Sequence, residues 1–143
     1  MARQEKAPQL LTVPQANDLL PRVRKILAEL RGSQGNIRKL EEKKAVEELT
    51  WLQPDGSVSF RAKEAVEGMD EFLEKEVRLF EKGLEELSGI GAQLKDLEEG
   101  LVDFLAARED NLVCLCWREG ESQIQYWHDL ESGFAGRHPL GEF

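Results

Sequence analysis

The apolar residues of this 143-residue chain change period at Gly89 to Gly91. Before that point they recur at three- and four-residue steps, and after it they fall in short blocks, so helices are expected first and a sheet second. Ala16, Leu19, Leu20, Val23, Ile26, Leu27 and Leu30 make one stripe, continued by Ile37, Leu40, Ala45 and Leu49. Val66, Met69, Leu73, Val77, Phe80, Leu84 and Leu87 make a second. Thr12 and Gln15 form a capping box and Pro14 sits in the first turn, where its missing N–H is harmless. The first helix is therefore predicted over 13–50, kinked near Pro21. Gly32 and Gly35 weaken it by about 1 kcal/mol each, so one long helix is favoured, with a break at Gly32 to Gly35 as the alternative. Gln53-Pro54-Asp55-Gly56 reads as a turn. Ser57 or Ser59 then caps a second helix over 57–88, with Gly89 as its left-handed cap. At 1.5 Å per residue the helices are about 50 and 45 Å long, matched for an antiparallel hairpin.

Residues 92–143 read as a small antiparallel β-module with a C-terminal loop. Leu101 to Phe104, Leu112 to Trp117 and Gln123 to His128 are the expected strands. A three-residue Arg118-Glu119-Gly120 turn would place Cys114 opposite Ile124 and Leu112 opposite Tyr126. The fold class is α+β, with residues 1–143 forming one domain.

The net charge is −9, and residues 53–100 and 101–143 carry −7 and −5 of it against +3 on residues 1–52. That distribution repels a polyanion, and the basic residues from Arg22 to Lys44 are interleaved with glutamates, so nucleic-acid binding is not expected. No apolar run approaches a membrane span, and the first ten residues lack a signal-peptide core. A cytoplasmic protein with reduced thiols is the expectation, since Cys114 and Cys116 share one strand face without easy disulfide geometry.

The chemistry-bearing residues gather near the C-terminus. Cys114, Cys116, His128 and His138 are the soft-metal donors, but the cysteines lack the spacing of a zinc knuckle, so no metal and no cofactor are expected. A Cys116 nucleophile with His128 as base, oriented by Asp129 or Asp103, is conceivable. The apolar run before Cys116 supplies nothing to lower its pKa, so no catalytic residue is assigned. The candidate ligand-binding set is Trp117, Trp127, His128, Asp129, Gly133, Gly136 and Arg137, in which the glycine backbone and the Arg137 fork would suit a small anion. The alternative for the same loop is structural: Phe134 fills the core and Arg137 ties the tail to Asp103 or Asp129.

The strings TVPQANDLLP, KDLEEGLVDF, LCWREGE, WHDL and GFAGRHPL occur in that order. On them the chain is identified as a member of an uncharacterised bacterial family catalogued as domain of unknown function 2203. The resemblance implies a bacterial cytosolic protein, gives no residue a catalytic role and favours a continuous first helix, from which Gly32 and Gly35 depart.

Phe72 and Leu79 lie beside the main stripe of the second helix and widen it to roughly 160°, more than one neighbouring helix covers. Either the C-terminal module packs there or a second copy of the chain does. The expected function is a non-enzymatic interaction or scaffold protein that forms a homodimer through Phe72 and Leu79. That protein would present its C-terminal module to a ligand or protein partner; the alternative is a small anionic-ligand binding protein or enzyme with its site in the C-terminal module.

Overall fold

The computed structural model describes residues 9–141 and 143; the first ten residues, from which no signal peptide was expected, lie mostly outside them. The order is α1 (Val13–Thr50), α2 (Phe60–Gly89), then five strands, β1 (Ala92–Asp96), β2 (Leu101–Arg108), β3 (Asn111–Arg118), β4 (Tyr126–Asp129) and β5 (His138–Pro139). The fold is α+β: two long helices packed as a hairpin, followed by an antiparallel sheet. Among the described residues no helix is long and apolar enough to cross a membrane.

The capping box forms as expected, with Thr12 N–H donating to Gln15 Oε1 at 2.9 Å and Gln15 N–H to Thr12 Oγ1 at 3.3 Å. α1 runs unbroken through Pro21, Gly32 and Gly35. α2 starts three residues later than expected. Asp55 and Ser57 close the preceding turn, and Ser59 Oγ accepts the Ala62 N–H at 3.3 Å as the cap. α2 does end at Gly89, but the left-handed residue is Gly91, with φ 87°, where a Cβ would meet Leu11 Cδ1 at 3.2 Å.

The chain divides into two compact units. One, Ala28–Gly83, is the hairpin itself. Asn36 Nδ2 donates to Glu76 Oε1 at 3.1 Å, Lys44 Nζ pairs with Asp70 Oδ1 at 2.9 Å, and Leu52 bridges to Val58, which together define an antiparallel register. These exposed polar links fix alignment more than they stabilise it. The unit has little core, because among its described residues only Leu30, Ser33, Ala62 and Gly83 are buried.

The other unit joins residues up to Leu27 with Leu84–Phe143. Its sheet is a meander, each strand paired with the next in sequence. One sheet face carries Val102, Phe104, Ala106, Val113, Leu115 and Trp117, all buried. The first half of α1 packs on it. Leu11 N–H donates to Leu105 O at 2.9 Å, Asn17 Oδ1 accepts the Ile124 N–H at 2.6 Å, and the Arg24 guanidinium lies 5.4 Å from the Trp117 ring centre. The antiparallel hairpin expected from the two stripes does not account for all of the first one: Leu20, Val23, Ile26 and Leu27 are buried in the sheet's unit, whereas Val77 and Leu84 of the second stripe are exposed.

The β3–β4 register also differs from expectation. Cys116 pairs with Tyr126, Leu115 with Trp127 and Cys114 with His128. The connection is longer because Ile124, instead of pairing in the ladder, is buried with its N–H on Asn17. The turn itself is closed by Glu121, whose N–H donates to Arg118 O at 3.0 Å and whose Oε1 accepts the Arg118 N–H at 2.6 Å. Gly120, at φ 108°, supplies the positive φ of this turn, which favours glycine.

Candidate functional site

Side chains alternate across a strand, so each strand of the sheet presents one set to α1 and another to the opposite face. On that opposite face Asp103 from β2, Cys114 and Cys116 from β3, and His128 from β4 come together. They border a recess of about 290 Å³ whose far wall is Leu130, Glu131, Gly133 and Phe134. Asp103 and His128 lie on strands either side of β3, yet their side chains meet, His128 Nε2 to Asp103 Oδ2 at 2.9 Å, with both side chains at least 96% buried. The two intervening β3 positions that share this face are cysteines. Small side chains there leave the pair room to close over the strand.

The other nitrogen settles the tautomer. His128 Nδ1 is 2.6 Å from the Asp129 carbonyl oxygen, which can only accept, so Nδ1 carries a proton. One further proton lies between Nε2 and Oδ2. A buried charge needs such a partner, because desolvation without one is expensive.

Burial raises the Cys114 thiol above its ordinary pKa and pushes Cys116 up to about 12, reinforced in both by the Asp103 carboxylate. At neutral pH that leaves Cys116 with about a thousandfold fewer thiolates than a free cysteine. Neither cysteine is an activated nucleophile. In the native protein a thiol-reactive disulfide reagent is expected to label Cys114 and Cys116 at least about 100-fold more slowly than in denaturant. Fast stoichiometric labelling of folded protein would contradict the burial of this face.

The candidate residues divide between the two faces. His128 and Gly133 line the recess. Trp117 is fully buried on the α1 side, its Nε1–H donating to Glu121 O at 2.9 Å. Trp127 is on that side too, with the Arg108 guanidinium 4.6 Å from its ring centre and His138 stacked at 4.7 Å. A pocket walled jointly by Trp117, Trp127, His128 and Arg137 is therefore not assembled. Asp129 is exposed and contributes its carbonyl.

Arg137 is a clasp, as the structural alternative held, but to a different acid. It pairs with Glu121 Oε1 at 2.5 Å, donates to Cys116 O at 3.3 Å and lies 3.9 Å from the Tyr126 ring centre. Neither Asp103 nor Asp129 is its partner in these bonds. The Gly136 and Arg137 N–H groups close the short 3-10 turn, on Gly133 O and Phe134 O, and a Cβ on Gly136 would meet Ser132 at 2.5 Å. The glycines serve the turn's own packing. Glu121, which follows the hairpin turn, is the residue whose importance went unseen: it joins the hairpin, Arg137 and, through its carbonyl, Trp117.

A family model described as "Uncharacterized conserved protein (DUF2203)" matches residues 9–140. The chain belongs to this family. The match takes in both helices and all five strands of the DUF2203 chain, the recess included. No curated protein and no solved structure matches it.

The hairpin offers a second candidate surface. Phe72 is 66% and Leu79 48% exposed. Seven residues apart, they stand on one side of α2, two turns from each other.

Proposed function

We propose that this DUF2203 chain is a non-enzymatic interaction protein that forms a homodimer through its helical hairpin and leaves the sheet recess open to a ligand. The observation that carries the reading is the exposure of Phe72 and Leu79 at heptad spacing on a hairpin that buries almost nothing of its own. Two helices form a single layer, and stable helical architectures close a core between layers. A second hairpin laid against the first would make a four-helix bundle with a shared coiled-coil-like seam. A bacterial cytosol fits the buried free thiols, and the charge of −9 opposes binding to nucleic acid.

Light scattering on the purified protein tests this. Wild type is expected to run as a dimer at micromolar concentration, and Phe72→Glu with Leu79→Glu to weaken association at least about tenfold while circular dichroism stays native, since burying carboxylates at a desolvated contact is costly. A wild type that remains monomeric at high micromolar concentration would refute it.

A further inference from the structure

We propose that Asp103, Cys114 and His128 hold a divalent transition-metal cation of the Zn²⁺ class, with a fourth coordination position facing the recess. The inference goes beyond the self-association reading and stands whether or not the chain dimerises. The carboxylate oxygen, the thiol sulfur and the imidazole nitrogen all lie within 4.8 Å of one another, on three adjacent strands, in residues that are each more than nine-tenths buried. One sulfur, one nitrogen and one oxygen form a donor set that zinc accepts and that hard cations such as magnesium and calcium do not favour.

The histidine is already prepared. Its Nδ1–H is held by the Asp129 carbonyl, the arrangement that orients a ligating imidazole and directs Nε2 at the metal. A tetrahedral zinc with bonds of about 2.0–2.1 Å to N and O and about 2.3 Å to S sets nitrogen and oxygen about 3.3 Å apart, and either about 3.6 Å from the sulfur. The Nε2 to Oδ2 distance is 2.9 Å, so the pair need open by only about 0.4 Å to admit the ion. Two protons then leave to solvent, one from the Cys114 thiol and the one shared by His128 and Asp103. Cys116, directly across from Asp103 in the β2–β3 register, is placed to orient the carboxylate and is not itself a ligand. Three protein donors and an open fourth position is the pattern of zinc sites that bind an exogenous molecule.

This differs from the donor set weighed from the sequence. His138 pairs with Trp127 in the β4–β5 register, stacks on it and is exposed, so it does not join His128. Asp103 takes its place.

The test uses the full chain, stripped with a chelator and titrated with Co²⁺ and then Zn²⁺. Expected are one equivalent of Co²⁺ bound, tetrahedral visible bands with a thiolate charge-transfer band, and displacement by Zn²⁺. Cys114→Ser is expected to remove the charge-transfer band and Cys116→Ser to keep it. No cobalt spectrum, or a charge-transfer band that survives Cys114→Ser, overturns the proposal. Should Cys114→Ser fail to fold, X-ray absorption on the zinc-loaded wild type decides: one sulfur at about 2.3 Å with nitrogen and oxygen at about 2.0–2.1 Å supports the site. Two or more sulfurs, or none, refutes it.

Discussion

Asp103→Ala is expected to destabilise the protein by about 3–5 kcal/mol, because it leaves His128 Nε2 buried and unpaired. In a chain of this length that lowers the melting temperature by roughly 10–20 °C. The size follows from geometry: both side chains are almost wholly enclosed, and the Asp129 carbonyl already occupies Nδ1, so the imidazole has nowhere else to turn. Asp103→Asn separates charge from hydrogen bonding. Its amide can donate to the Nε2 lone pair of a neutral ring, so the loss should fall to about 1 kcal/mol. Chemical denaturation of the two variants checks both values. An alanine variant as stable as wild type would show that the pair does not form.

Trp117→Ala is expected to lose a similar amount, about 3–5 kcal/mol. Trp117 is fully buried between the sheet and the first half of α1, and its N–H reaches the carbonyl of Glu121. Truncation removes the largest buried side chain of that face and frees the surface on which Arg24 rests. Trp117→Phe keeps most of the apolar area but breaks the hydrogen bond, for which about 1–2 kcal/mol is reasonable. Equal losses in the two variants would mean that the indole N–H, not the packing, holds α1 to the sheet. A loss below about 1 kcal/mol in Trp117→Ala would contradict the docking of α1 on this face.

The helices were legible because their signals are local. Thr12 and Gln15 announce a start, Pro54-Asp55-Gly56 a turn, and the three- and four-residue stripe continues across Gly32 and Gly35 strongly enough to outweigh two glycines. Which surface each part of the stripe meets was not legible. Leu20 and Leu30 look alike in sequence, yet they belong to different units. The β3–β4 register failed for a related reason. Ile124 satisfies strand periodicity, but Asn17, more than a hundred residues earlier, takes its N–H and removes it from the ladder.

The site was half legible. His128 and the two cysteines stood out by residue type, whereas Asp103 has no local signal beyond being a charge within an apolar strand, and it comes to His128 only because the meander folds β2 and β4 onto either side of β3. Ligand-spacing rules describe donors held by one tight turn. They do not describe donors brought together by strand order. Arg137 was recognised as either a clasp or an anion receptor, but no local spacing selects Glu121, sixteen residues upstream, over the other acids.

The contacts of the N-terminal half of α1 also bear on the chain's synthesis. Asn17 meets Ile124, and Arg24 meets the carbonyls of Glu121 and Ser122, across 97 to 107 residues of sequence. At 5–20 residues per second the ribosome needs roughly 5–20 s to produce those partners after the helix has left it. Through that interval Leu20, Val23, Ile26 and Leu27 have no sheet to cover them, while each strand of the meander finds its neighbour as soon as the next turn is made. The vulnerable stage in this protein's life is therefore the nascent helix, whose native surface lies about a hundred residues further along the message.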